Sequence, residues 1–70
     1  MTSKYLTRAE ASAYIATFGI SVSPKTLAKY ACLGGGPAYR LFGMRALYTA
    51  EDIDTWLAEK ISPVRYSATA

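Results

Sequence analysis

Seventy residues, of which 51% are hydrophobic and 13% aromatic, make a chain long enough for one small core and too apolar to remain disordered. One cysteine and no histidine exclude a disulfide framework, a Cys/His zinc site and a histidine-based catalytic triad. The net charge is +3, and from Ala11 to Ala50 every charged residue is a cation: Lys25, Lys29, Arg40 and Arg45.

The first predicted element is a helix from about Thr7 to Phe18. Thr7 and Glu10 have the spacing of a capping box, in which each side chain satisfies a backbone N–H of the other residue. Ala11, Tyr14, Ile15 and Phe18 follow at i, i+3, i+4 and i+7, one inward face, and Gly19 suits the C-terminal cap. After the connector Ile20-Ser21-Val22, Ser23-Pro24 opens a second helix, with serine as the cap and proline at the first turn. Leu27, Tyr30 and Leu33 are expected to face inward, and Lys25, Thr26 and Lys29 to lie open. Gly34-Gly35-Gly36-Pro37 stops this helix. The glycine run follows a helix and precedes a strand, so it reads as punctuation rather than as a phosphate cradle.

Two strands, Ala38 to Phe42 and Arg45 to Thr49, flank Gly43-Met44, a two-residue hairpin loop with glycine first. This register puts Tyr39, Leu41, Ala46 and Tyr48 on a packing face and Arg40, Phe42 and Arg45 on the other. Thr49 caps a third helix with Glu51, Asp52 and Asp54 in its first turns, where the helix dipole favours negative charge. Ile53, Trp56, Leu57 and Ile61 form its inward stripe, and Ser62-Pro63 ends it. Those carboxylates are explained by the helix start, so no catalytic pair is assigned and no enzyme activity is expected. Cys32, late in the second helix, reads as a small apolar filler.

The fold class expected is mainly α with a small β-hairpin, a winged helix-turn-helix, over residues 1–62, with a flexible tail over 63–70. A short second helix that opens with small polar and basic residues suits base reading from its N-terminus in the major groove. The hairpin becomes the wing, with Arg40 and Arg45 reaching an adjacent groove or phosphate. No apolar run is long enough for a membrane span, and the opening residues Met1 to Arg8 lack the apolar stretch of a secretory signal. The expectation is a cytoplasmic, nucleoid-associated chain with no cofactor, metal or small-molecule ligand.

Five segments together resemble one known series. They are Leu6-Thr7 with Glu10-Ala11; Ser23-Pro24-Lys25-Thr26-Leu27-Ala28-Lys29; Gly34-Gly35-Gly36-Pro37; Phe42-Gly43-Met44-Arg45-Ala46-Leu47-Tyr48; and Asp52-Ile53-Asp54-Thr55-Trp56-Leu57. In this order and spacing, over about Tyr5 to Lys60, the chain resembles the excisionase-type, MerR-like small helix-turn-helix proteins of phages and integrative elements. It departs from the commonest members in a longer connector, Gly19 to Val22, and in a wing tip, Gly43-Met44-Arg45, without two consecutive basic residues.

The resemblance implies a protein that binds and bends double-stranded DNA and either biases a recombinase towards excision or regulates promoters on the element. Lys25, Thr26 and Lys29 then contact bases or nearby phosphates, and Ser23 caps the helix and touches the DNA backbone. Tyr30 packs its ring against the third helix and extends its hydroxyl to a phosphate, while Arg40 and Arg45 grip phosphate or the minor groove. The partners expected are double-stranded DNA, an integrase or recombinase, and adjacent copies of the chain on DNA. Free protein is expected to be monomeric, and Arg65-Tyr66 in the tail is a further surface for a partner. A promoter-binding regulator uses the same surface. A protein-interaction module, such as an anti-activator, instead needs an apolar patch on the second helix.

Overall fold

A computed structural model describes residues 4–61 and 64. In chain order these form helix α1 (Arg8–Ala16), helix α2 (Pro24–Leu33), strands β1 (Arg40–Phe42) and β2 (Arg45–Leu47), and helix α3 (Ala50–Lys60). The architecture is mainly α with one small antiparallel hairpin. Apart from Val64, the expected tail of 63–70, including Arg65 and Tyr66, lies outside the described residues. Among the described residues no helix is long and apolar enough to cross a membrane.

Each helix begins where its cap is. Thr7 Oγ1 accepts the Glu10 N–H at 3.2 Å while Glu10 accepts the Thr7 N–H at 2.9 Å, so the capping box of α1 is complete. Ser23 accepts the Thr26 N–H, and Thr49 the Asp52 N–H, at the starts of α2 and α3. The Thr7 backbone N–H at the Glu10 side chain holds that carboxyl below its usual pKa. Ala11 and Ile15 from α1, Leu27 from α2, Ala46 and Tyr48 from the hairpin, and Ile53, Trp56 and Leu57 from α3 form one core. Leu6, Tyr14, Ile20, Val22 and Tyr30 pack around it.

The hairpin register is the expected one: Phe42 faces Arg45, Leu41 faces Ala46 and Arg40 faces Leu47. The strands are shorter than the expected Ala38 to Phe42 and Arg45 to Thr49, the ladder stopping at the Arg40–Leu47 pair. Antiparallel pairs alternate between hydrogen-bonded and non-hydrogen-bonded, starting from the bonded pair at a two-residue loop. Tyr48 therefore turns its N–H and C=O away from β1. Leu6 takes both, at 2.7 and 2.8 Å, an isolated antiparallel bridge just past the end of β2.

Several inward expectations are corrected. Phe18 is exposed because α1 ends at Ala16. The N–H groups of Phe18 and Gly19 bond three residues back, to Ile15 and Ala16, a tightening that swings Phe18 off the α-helical stripe. Leu33 is 73% exposed: it lies six residues beyond Leu27, roughly 120° away around the helix. Ile61 is exposed because α3 ends one residue earlier and the backbone there is extended. On the hairpin, Tyr39 and Leu41 are exposed although they share the packing face, since helices cover only the Ala46 and Tyr48 side of it. Cys32 is exposed and fills no gap in the core. Trp56, Tyr48, Ile53 and Leu57 are buried as expected.

Candidate nucleic-acid interface

The start of α2 is fixed from two directions. The Ser12 hydroxyl of α1 donates to the Val22 carbonyl, which pins the connector just before the cap. Leu27, the one buried residue of α2, anchors the helix to the core. With the axis held in this way, Lys25 and Lys29 both stand exposed. They are four residues apart, so they occupy neighbouring turns of one face. Neither has an acidic partner among the described residues. Two like charges at this spacing disfavour the helix slightly, and an anion bound between them reverses the sign.

Ser23 and Thr26 are brought together: their hydroxyl oxygens lie 3.0 Å apart, and Ser23 also accepts the Thr26 N–H at 3.1 Å. Serine thereby serves first as the cap, and Thr26 is half-buried rather than open as expected. Tyr30 is half-buried with its ring edge-on to Trp56, centroids 5.8 Å apart, so its ring packs on α3 as expected. Its hydroxyl has no hydrogen-bond partner among the described residues.

The glycine run closes α2 against α3. The Gly34 N–H caps the Tyr30 carbonyl at 2.6 Å, and the Trp56 indole N–H donates to the Gly35 carbonyl at 2.8 Å. At Gly36 a Cβ would lie 2.6 Å from the Tyr30 Cβ, so only glycine lets the chain pass this close to the helix it has just left. The run thus places Tyr30 and Trp56 together and sets the departure of the hairpin.

The two hairpin arginines differ. Arg40 lies 3.6 Å from Asp52 of α3, a surface ion pair that ties β1 to the third helix. Arg45 is exposed with no acidic partner among the described residues. It lines an open groove of about 700 Å³ between the hairpin and the first turn of α1, with Phe42 and Met44 on its own side and Thr7, Arg8 and Ala9 opposite. Arg8 is the cation that sequence reasoning missed. Its Nε donates to the Tyr48 hydroxyl at 3.2 Å, which orients the side chain beside the groove. A cation in the first turn of a helix opposes the helix dipole, and that anomaly was the available signal.

No protein-family model matches the chain, and no curated protein matches it. The chemistry of the surface follows from its own groups: Lys25 and Lys29 on α2, Arg45 and Arg8 at the hairpin groove, and Arg40 partly compensated. These are hydrogen-bond donors with fixed positive charge. They suit a polyanion, and they include no nucleophile paired with a base.

Proposed function

We propose that the chain is a winged helix-turn-helix protein that binds double-stranded DNA, with α2 in the major groove and the hairpin as the wing. The observation that carries this reading is the division of charge along the fold: α2 and the hairpin carry four cations and no carboxylate. Exposed, unpaired cations on a helix anchored by one buried leucine are suited to phosphates and base edges, because the helix can present its outer face without loss of core. Lys25, Lys29 and Arg45 are the principal contacts. Thr26 and Ser23 meet the backbone at the helix start, Tyr30 offers a hydroxyl, and Arg40 contributes when Asp52 releases it. Within this reading, the role of excision factor acting with an integrase rests on the resemblance of the five-segment series.

Affinity for duplexes measured against salt tests the reading. With about four phosphate neutralisers the log–log slope is expected near −3 to −4, and Arg45→Ala should flatten it by about one. Lys29→Ala should lower affinity and alter which sequences a random pool yields. A chain that binds no duplex at low salt, or binds with no salt dependence, is not a DNA-binding protein. Cooperative occupation of closely spaced direct repeats with DNA bending marks the excision factor, and one straight palindromic site marks the promoter regulator.

A second reading, a protein-interaction module, is favoured by a separate feature. Phe18, Ile20, Leu57 and Ile61, together with the carboxylate-bearing Asp54, line a mainly apolar groove of about 380 Å³. Polar substitution of its exposed residues, Phe18 and Ile61, should leave DNA affinity unchanged if the first reading holds.

A further inference from the structure

The end of the hairpin is apolar where a solvated loop has no need to be. Gly43 has φ +66° and Met44 a negative φ, the signs of a II′ turn, so the loop is a firm two-residue closure. Met44 is completely exposed at its apex, and Phe42, 77% exposed, flanks it on the strand. Neither side chain contributes to the core. Phe42 faces Arg45 across the ladder, so the apolar apex and an unpaired cation share one end of the hairpin.

Resting on the DNA-binding reading, we infer that Met44, at the apex beside Phe42, is a wedge that enters a base step from the minor groove and kinks the duplex. The shape fits. A two-stranded hairpin is wider than a minor groove of about 6 Å, so its strands stay outside and only the side chain at the apex, Met44, has to enter, the groove widening as the duplex bends. The charge fits as well: the hairpin strands and loop carry Arg40 and Arg45 and no carboxylate, and Arg45, exposed and without an acidic partner among the described residues, is placed to hold a phosphate. Unbranched methionine adapts its shape to the gap between two bases, and inserted apolar side chains unstack a step and bend the helix axis. The step touched by the tip should be one that unstacks readily, a pyrimidine–purine step, which gives sequence preference without any hydrogen bond to a base.

The test uses the full chain and end-labelled duplexes of about 30 base pairs, random except for a central TA step, intact or with one central mismatch. A mismatch lowers the cost of unstacking, so a wedge binds the mismatched duplex several-fold more tightly, and end-to-end energy transfer reports the kink. Met44→Ser should lose both the preference and the bend while intact-duplex binding persists at low salt. Its folding should be unchanged, because the side chain touches nothing. Met44→Leu should keep both effects, and Arg45→Ala should weaken both duplexes alike with the preference retained. A Met44→Ser protein that still bends DNA and still prefers the mismatch overturns the wedge and leaves the DNA-binding reading standing. A wild-type chain that binds neither duplex overturns both. A Met44→Ser change in sedimentation of the free protein, with DNA bending intact, assigns the tip to contact between copies and likewise overturns the wedge.

Discussion

Helices α1 and α3 differ from α2 and the hairpin in burial and in charge, and the two differences run together. The first pair buries Ala11, Ile15, Ile53, Trp56 and Leu57 and carries all five carboxylates of the chain. The second pair buries only Leu27 and Ala46, and its four charges are all positive. A framework that does most of the packing leaves its neighbours free to expose what a core would refuse: two lysines on adjacent turns, an unpaired arginine and a methionine at a loop apex. The halves are joined by Leu27 and Ala46 in the core, Tyr30 against Trp56, the indole hydrogen bond to Gly35 and the Arg40–Asp52 ion pair.

The sharpest way to break this division is at Trp56, which belongs to the framework and also receives α2. Trp56→Ala should cost roughly 3–5 kcal/mol. A domain of 70 residues has a total stability of roughly 4–10 kcal/mol, so the variant should lose about half of it and its thermal midpoint by circular dichroism should fall steeply. Retention of a cooperative transition near the wild-type midpoint would mean that the indole is not the keystone of the core.

Two leucines on α2 test the narrowness of the anchor. Leu27→Ala should cost about 2–5 kcal/mol, whereas Leu33→Ala, on the same helix and 73% exposed, should stay within about 0.5 kcal/mol in urea denaturation. Equal costs would erase the picture of a helix held by one side chain.

The same leucines show what was legible in the sequence. Caps, helix starts and hairpin register were readable, because each rests on contacts between residues two to four apart: Thr7 with Glu10, Ser23 with Thr26, Phe42 with Arg45. Leu27, Ile53 and Trp56 were readable as core from their place on a stripe. Leu33, Phe18 and Ile61 were misread because each sits at or beyond the last turn of its element, where a stripe no longer constrains direction. Tyr39 and Leu41 were misread for a different reason: strand alternation gives a face, but only the tertiary arrangement says how far the helices cover it. The pairing of Leu6 with Tyr48 and the Arg40–Asp52 contact join distant segments, and no local pattern announces them. At the candidate interface, Lys25, Lys29 and Arg45 were legible as cations in an acid-free stretch. The half-burial of Thr26 and the approach of Arg8 to the hairpin groove were not.

A smaller effect sharpens the link rather than breaking it. Gly36→Ala places a Cβ 2.6 Å from the Tyr30 Cβ, an atom close to its own backbone and with little room to retreat. The expected cost is about 1–3 kcal/mol, with Tyr30 pushed off Trp56. Tryptophan fluorescence should shift, because Trp56 is the only tryptophan. An unchanged spectrum and unchanged stability would show that α2 can rotate freely against α3, contrary to a fixed presentation of Lys25 and Lys29.

The smallest expected effect lies within the framework, where Tyr14 of α1 donates its hydroxyl to Asp54 of α3 at 2.7 Å. That hydrogen bond to the carboxylate, with burial second, raises the Tyr14 pKa above its usual value. The sign of the linkage follows. The folded state holds the phenolic proton more tightly than the unfolded state, so the contribution is fully present below the tyrosine's unfolded pKa of about 10. It is lost as pH rises through the higher folded value. Tyr14→Phe should therefore remove part of the alkaline loss of stability. Because the contact is at the surface, the difference should be modest and is best read as the gap between wild-type and Tyr14→Phe denaturation midpoints across pH 8 to about 11. A gap that narrows with rising pH places the bond between α1 and α3 in solution. A constant gap would mean that the phenylalanine loses only packing, and that the two framework helices are held together by Ile15 and Ile53 without a polar tie.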